Sequence, residues 1–264
     1  MEACILVRTT TCTQLLELGK NTKWKTRLRI VAWLKIEVRA NIQMLENYWD
    51  HHDWDVVVAA LDEIVQVSRQ DPMAVMCHMG EIYRRLIDAL RLPHTRIVRI
   101  AEQTARELFQ HVRCVSRPEF DEIVNILLNG TANMSRAIRV DAAEALDSMV
   151  AHMPVQFTIR AILAKAPNHR NPLVRATVAR LLISITKAVG AKALLGKRVY
   201  QPIRKSILER SALFLNDPNI EVRGLAKSLF TDLTKEHEFD EVFYTEVDCK
   251  VIKATDKSMV MLRY

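Results

Sequence analysis

Four stretches of this chain place a valine or isoleucine before an arginine and then repeat apolar residues at matching offsets. They are TRIVRIAEQTARELF, SRAIRVDAAEALDSM, NPLVRATVARLLISI and NIEVRGLAKSLFTDL, anchored at Val98-Arg99, Ile138-Arg139, Val174-Arg175 and Val222-Arg223. The apolar positions after each anchor are Ala101, Ala105 and Leu108; Ala142, Ala145 and Met149; Val178, Leu181 and Ile185; and Leu225, Leu229 and Leu233. This spacing of three or four lays one apolar stripe along a helix. The small residues near the start of each stripe let that helix lie close to a neighbour. Four such segments in register are an internal repeat.

A second amphipathic segment precedes each repeat helix: Val75–Leu90, Glu119–Leu128, Val155–Ala166 and Tyr200–Leu215. Pro118, Pro154 and Pro202 stand near the first turns of these partners, where a missing N–H costs nothing. Breakers separate the two helices of each pair: Pro93, then Gly130 with Asn133, then Pro167 with Asn171 and Pro172, then Asp217-Pro218-Asn219. The pattern predicts helical hairpins. Their anchors are 40, 36 and 48 residues apart, bracketing the roughly 40–47 residues of HEAT-type units. Ala40–Asp50 with Trp54–Ser68 supplies an earlier hairpin, with His51-His52-Asp53 at its turn. Phe239–Arg263 supplies a sixth, partial unit, in which Phe239, Phe243 and Tyr244 cap the array. The expected fold is all-α, a HEAT-repeat solenoid of about six units over residues 39–264. Residues 1–38 are an unassigned extension, with a basic stretch of Lys20, Lys23, Lys25, Arg27 and Arg29 beside Trp24 and Trp33.

Composition agrees with helices. The 264 residues are 49% hydrophobic and 26% charged, with only 6 Gly and 8 Pro. That is enough apolar material for a core and too little glycine for barrels, sandwiches or Rossmann-type sheets. No apolar run approaches the roughly 18 residues of a membrane span, and the opening MEACILVRTTTCTQ makes a poor signal peptide. Five cysteines (Cys4, Cys12, Cys77, Cys114 and Cys249) include no C-x-x-C pair and fit reduced thiols of a cytosol-like compartment. Cys77 and Cys114 lie among apolar helix residues and are expected in or just below the core.

The net charge of +7 points to an acidic partner, and its placement narrows the choice. In a hairpin solenoid the intra-hairpin turns line one edge. Read in order, they offer Asp53 and Trp54; Arg91, His94, Arg96 and Arg99; Asn133, Arg136 and Arg139; Asn168, His169, Arg170, Asn171 and Arg175; and Asn216, Asn219, Arg223 and Lys227. Acidic residues in the same turns are Asp53, Asp217 and Glu221, so a cationic ridge is expected. Arginine holds carboxylates through two parallel hydrogen bonds, and asparagine satisfies backbone groups. Arg91, Arg96, Arg136 and Arg170 are the candidates for partner contact. Arg99, Arg139, Arg175 and Arg223, directly after the anchors, either bracket neighbouring units or face the partner. Both readings stay open from the sequence.

From about residue 40 onward the chain resembles a TOG domain, a HEAT-repeat module that binds tubulin. The resemblance is carried by HHDWDVVVAALDEIV, LRLPHTRIVRIAEQTARELF, NILLNGTANMSRAIRVDAAEALDSMV, HRNPLVRATVARLL and DPNIEVRGLAKSLF, in that order. The closing KEHEFDEVFYTEVDCKVIKATDKSMVMLR is similar to the end of TOG domains in the array regulators of axonemal microtubules, the crescerins. A more distant likeness runs to the cytoplasmic linker-associated proteins. The resemblance implies a microtubule-associated protein of the cytoplasm and cytoskeleton, in the crescerin case of the cilium or axoneme. Its partner would be the αβ-tubulin heterodimer or the microtubule. Trp54 would be the first-turn aromatic inserted at β-tubulin, with Arg91, Arg96 and Arg136 along the ridge and Arg170 and Asn171 toward α-tubulin. Pro93-His94 departs from the small polar pair usual in the second turn.

No catalytic reading competes. The chain has no G-x-x-x-x-G-K-[ST], G-x-G-x-x-G or G-x-S-x-G motif. His51-His52-Asp53 has no further ligand at metal-site spacing. The expectation is no enzyme, no cofactor and no metal site, and neither nucleic acid nor membrane as partner. The alternatives are a HEAT scaffold for another acidic protein and, less favoured, a nucleic-acid-binding helical-repeat protein, which needs basic residues on a concave face.

Overall fold

The computed structural model describes residues 36–45, 54–165 and 168–261, and these residues form helices and turns without a strand. Helical backbone over 36–45 is labelled α1. There follow α2 (Trp54–Gln70), α3 (Pro72–Met76), α4 (Met79–Leu90), α5 (Thr95–His111), α6 (Glu119–Gly130) and α7 (Arg136–His152). Next come α8 (Val155–Lys165), α9 (Pro172–Val189), α10 (Ala191–Gly196), a 3-10 turn at Arg198–Tyr200 and α11 (Gln201–Phe214). The chain closes with α12 (Ile220–Leu233), α13 (Phe239–Glu246) and α14 (Cys249–Val260). The residues Lys20 to Trp33 and His51-His52-Asp53 singled out above lie outside the described residues, as do Cys4 and Cys12.

The helices form the two layers of a solenoid. One layer runs α2, α5, α7, α9, α12 and holds the four anchored repeat helices; the other runs α4, α6, α8, then α11 and α14. The joint between α5 and α7 is the most extensive in the molecule. It is close because the facing residues are small: Ala101, Ala105, Ala142 and Ala145 are all fully buried. Gly130 ends α6 against the same joint. A Cβ there would stand 3.1 Å from the Ala142 Cβ and 3.1 Å from Glu102 Oε1.

Aromatic rings fill the wider spaces between layers. Phe120 of α6 meets Phe109 of α5 edge-on at 5.8 Å and Tyr83 of α4 at 6.4 Å. The phenol of Tyr83 donates to the Cys114 carbonyl at 2.9 Å, so the buried hydroxyl is satisfied. At the far end Phe230, Phe239 and Phe243 pack together with centroids 5.4–6.0 Å apart. The expected partial unit is therefore a pair of helices, α13 and α14. Phe239 and Phe243 complete the core, while Tyr244 is exposed.

One predicted element is broken. Val75–Leu90 reads as a single amphipathic helix, but the chain turns at Cys77–His78, where the His78 N–H bonds the Val75 carbonyl at 2.9 Å. The turn re-aims α4 so that Met79, Ile82, Tyr83 and Leu86 all enter the core. The turn corrects the expectation for one thiol, since Cys77 is exposed; Cys114, in the loop after α5, is half-buried against the core, as expected.

Helix starts follow the turn chemistry of the sequence. Asp71, Asn171, Asn219 and Asp248 each accept a backbone N–H of the following turn. Asn219 takes two, from Glu221 at 3.0 Å and Val222 at 3.2 Å. Asn219→Ala is expected to cost about 1 kcal/mol, read as a lowered urea midpoint at unchanged slope. Asn219→Ser should recover most of it; an alanine variant as stable as the native chain would refute the assignment.

Candidate loop-edge interface

The turns between paired helices lie side by side and are tied together by hydrogen bonds. At one end, the Trp54 ring at the start of α2 faces the His94 imidazole, with centroids 5.7 Å apart and planes 33° from parallel. His94 in turn caps α5, its Nδ1 accepting the Ile97 N–H at 3.4 Å. Trp54 is half-buried and packs on the core, so the unusual His94 of the second turn positions the tryptophan as well as the helix. In the middle of the row, Thr177 of α9 reaches Thr131 of the third turn at 3.2 Å. Further along, Arg175 joins the fourth turn to Asp217 of the fifth.

Three of the four arginines after the anchors share one device. Arg139 Nη1 donates to the carbonyls of Asn133 and Met134 at 2.8 and 2.9 Å. Arg175 Nη1 does the same to His169 and Arg170 at 2.7 and 3.1 Å, and Arg223 Nη1 to Asp217 and Pro218 at 2.7 and 2.9 Å. In each case the guanidinium folds back six and five residues and fixes the turn that leads into its own helix. Arg99 instead crosses to the next unit, its Nε donating to Asp141 at 2.6 Å. The geometry thus gives all four a bracketing contact.

The ridge is less cationic than its residues alone suggest, because acids in the first turns of neighbouring helices pair with two of its arginines. Arg96 meets Asp55 of α2 at 3.0 Å. Arg91 pairs with Glu122. Glu122 lies near the start of α6, roughly 12 Å of helix from the turn at its other end, so the Arg91 guanidinium lies over the outer layer, apart from the other candidates. Both pairs are solvent-exposed, worth at most about 1 kcal/mol each, and are readily exchanged for a partner's carboxylate. Asn171 and Asn219 are occupied as helix caps. The Asn133 side chain accepts the Ser135 N–H at 2.9 Å.

What remains open to a partner is a second group. The side chains of Arg136, Arg170 and Lys227 are exposed and have no acidic partner among the described residues. Beside them stand apolar residues that the sequence reading passed over: Met134 is 98% exposed, Ile220 77% and Leu173 47%. A signal was there to find. Each sits at the mouth of an otherwise polar turn, off the apolar stripe of the helix it precedes or begins. Exposed apolar residues flanked by cations suit a partner surface with apolar patches among carboxylates.

Among the described residues no group of three or more His, Cys, Asp or Glu is arranged to hold a metal. No helix of the described residues is long and apolar enough to cross a membrane.

Comparison with known proteins places this geometry. Residues 34–241 match the family described as the CLASP N-terminal domain. Among solved structures, the TOG domain of C. elegans Zyg9 superposes with a TM-score of 0.59 at 13% identity, covering 96% of this chain and 86% of that one. The MAST/Orbit N-terminal domain gives 0.54 at 16% identity, covering 84% and 96%. A structure from work on TOG–tubulin binding specificity in microtubule dynamics and mitotic spindle formation gives 0.56 at 13% identity, covering 90% and 89%. At these identities the likeness is one of fold.

Proposed function

We propose that this chain, which belongs to the CLASP N-terminal family and has the TOG fold, is a non-enzymatic tubulin-binding module acting through the edge of its intra-hairpin turns. The observation that carries the reading is the set of exposed apolar residues and of cations without an acidic partner among the described residues. These are Arg136 and Arg170 at the turns with Met134, Leu173 and Ile220, and Lys227 about 10 Å along α12 from the fifth turn. Trp54 stands at the head of the row of turns, and Arg96 can leave Asp55 for a tubulin carboxylate. Arg139, Arg175 and Arg223 shape the turns, and Asn171 and Asn219 start the helices behind them. Residues 39–264 are taken as the repeat domain and 1–38 as an extension whose last residues, 36–38, already belong to α1. The setting is the microtubule cytoskeleton of the cytoplasm. A ciliary role is the narrower reading, implied by the crescerin-like end of the chain and tested by localising the tagged protein.

The experiment is co-migration of the purified chain with unpolymerised αβ-tubulin by size exclusion, beside an Arg136→Glu/Arg170→Glu variant. Reversing two unpaired surface charges leaves every fold contact described above intact, so the helical signal by circular dichroism should not change. Two contacts worth about 1–2 kcal/mol each at an interface are lost, and affinity should fall about thirtyfold to a thousandfold. A native shift lost in the variant supports the edge as the tubulin site. A native shift that persists unchanged in the variant moves the site elsewhere. Absence of any shift leaves a TOG-shaped scaffold for another acidic protein.

A further inference from the structure

We propose that the groove between α8 and α11, on the outer layer, is a docking site for a short acidic amphipathic helix of a partner protein. The repeat spacing explains why a groove opens there. The step from Val174 to Val222 is 48 residues, the longest in the chain, and its extra length forms α10 and the 3-10 turn. Leu194 and Leu195 of α10 are buried, and the Leu195 carbonyl accepts from Arg204 of α11. The insertion is therefore a fixed part of the fold. In the repeat-helix layer α9 and α12 still pack directly, whereas α8 and α11 meet much less closely than α6 and α8 do. The gap is confined to the outer layer and has a volume of about 630 Å³.

Its walls are two facing helical stripes. Gln156, Ile159, Arg160 and Leu163 line it from α8, and Ile203, Ser206, Glu209 and Arg210 from α11. Ile159 and Ile203 are 3% and 5% exposed and form an apolar floor, and Val199 stands 61% exposed at the rim. From Gln156 to Ala164 the stripe is about 12 Å long, the length of two helical turns. Above the floor, Arg160 and Arg210 have no carboxylate partner among the described residues. Glu209 does not neutralise them: its Oε1 accepts the Asp248 N–H at 3.2 Å and lies 3.8 Å from Lys205 Nζ. Lys197 and Arg198 continue the positive rim beside Val199.

An apolar floor between two unpaired arginines selects an occupant with a leucine-like stripe and flanking carboxylates, as in helix-in-groove recognition. The concave shape argues against a bilayer surface, which takes a protruding apolar element. The apolar floor gives nothing to a phosphate backbone, where the neutralising cations do the binding.

The test uses the full chain and a fluorescein-labelled peptide of repeated Leu-Glu-Glu-Leu, followed by anisotropy. Saturable binding is expected, weakened at least about tenfold by Arg160→Glu/Arg210→Glu and also by Val199→Asp. A peptide with lysine in place of glutamate should not bind. Circular dichroism checks that the variants stay folded, and tubulin co-migration of the same variants should be unchanged, which separates this site from the turn edge. The proposal falls if the acidic peptide does not bind or binds the variants equally well. It falls also if phosphatidylserine vesicles sediment the native chain while the peptide leaves it free.

Discussion

A Glu102→Gln variant should gain stability over the native chain as pH rises from about 5 to 8, by about 3–5 kcal/mol across that window. Glu102 sits on α5 at the α5–α7 joint, 2% exposed, and its Oε2 is buried without a hydrogen-bond partner. Burial, reinforced by the nearby charge of Asp141 and opposed by Arg99, pushes its carboxyl from an ordinary value of 4.5 up to about 8. The folded chain therefore keeps a proton that the unfolded chain releases near pH 4.5. Its favourable contribution is complete below that pH, shrinks as pH rises, and is gone above about 8. Glutamine keeps the shape and cannot ionise, so the native-minus-variant difference isolates this one group from every other titration. Urea unfolding of both proteins at pH 5, 6, 7 and 8.5 measures it. Parallel profiles across the range would show that Glu102 ionises normally in the fold, contrary to its surroundings.

The sequence carries much of this architecture because a solenoid repeats its local rules. The anchors and the breakers between helices act within one unit, and the small residues at Ala101 and Ala142 recur at the same place in successive units, so spacing alone can be read. Contacts between units are another matter. Arg99–Asp141, Arg175–Asp217 and Arg204–Glu246 are each separated by 42 residues, and Arg96–Asp55 by 41. These are pairs one repeat length apart. In any single segment the acid looks like an ordinary exposed helix residue, so the ridge read as more positive than it is. Searching for a cation and a carboxylate one repeat apart would have revealed the Arg96, Arg99 and Arg175 pairs, though not Arg91–Glu122, which are 31 residues apart. The turn at Cys77 was hidden for a different reason. Val75–Leu90 keeps an apolar period throughout, and only the packing of α4 on α6 requires the chain to change direction there. The groove between α8 and α11 was half visible: the 48-residue step announced an insertion, but which layer would open was a matter of three dimensions.

Of the bracketing arginines, Arg175 should be the costliest to lose, and the reason lies in what it leaves behind. Arg139 and Arg223 each hold two carbonyls of the turn before their own helix, and removing either guanidinium leaves no carboxylate without its hydrogen-bonded partner. Arg175 makes the same two carbonyl bonds and also grips Asp217 with both arms, Nε to Oδ2 at 2.7 Å and Nη2 to Oδ1 at 2.8 Å. The two side chains are only 12% and 7% exposed. Burial by itself raises the Asp217 carboxyl, but the Arg175 hydrogen bonds, the Asn219 N–H and the charges of Arg175 and Arg223 outweigh it and hold the group below its ordinary value. Arg175→Ala strands that carboxylate, and a buried charge without its partner costs about 3–5 kcal/mol. Adding Asp217→Asn to Arg175→Ala should recover a good part, because the amide has no charge to strand and can still accept the Asn219 N–H. In urea unfolding at pH 7 the expected order of stability is native first, then Arg139→Ala and Arg223→Ala, then the double variant, with Arg175→Ala last. If Arg175→Ala costs no more than Arg139→Ala, the fork to Asp217 contributes nothing beyond the shared turn contacts. If only the single variant is severely destabilised and the double is rescued, the fourth and fifth turns are joined through that carboxylate.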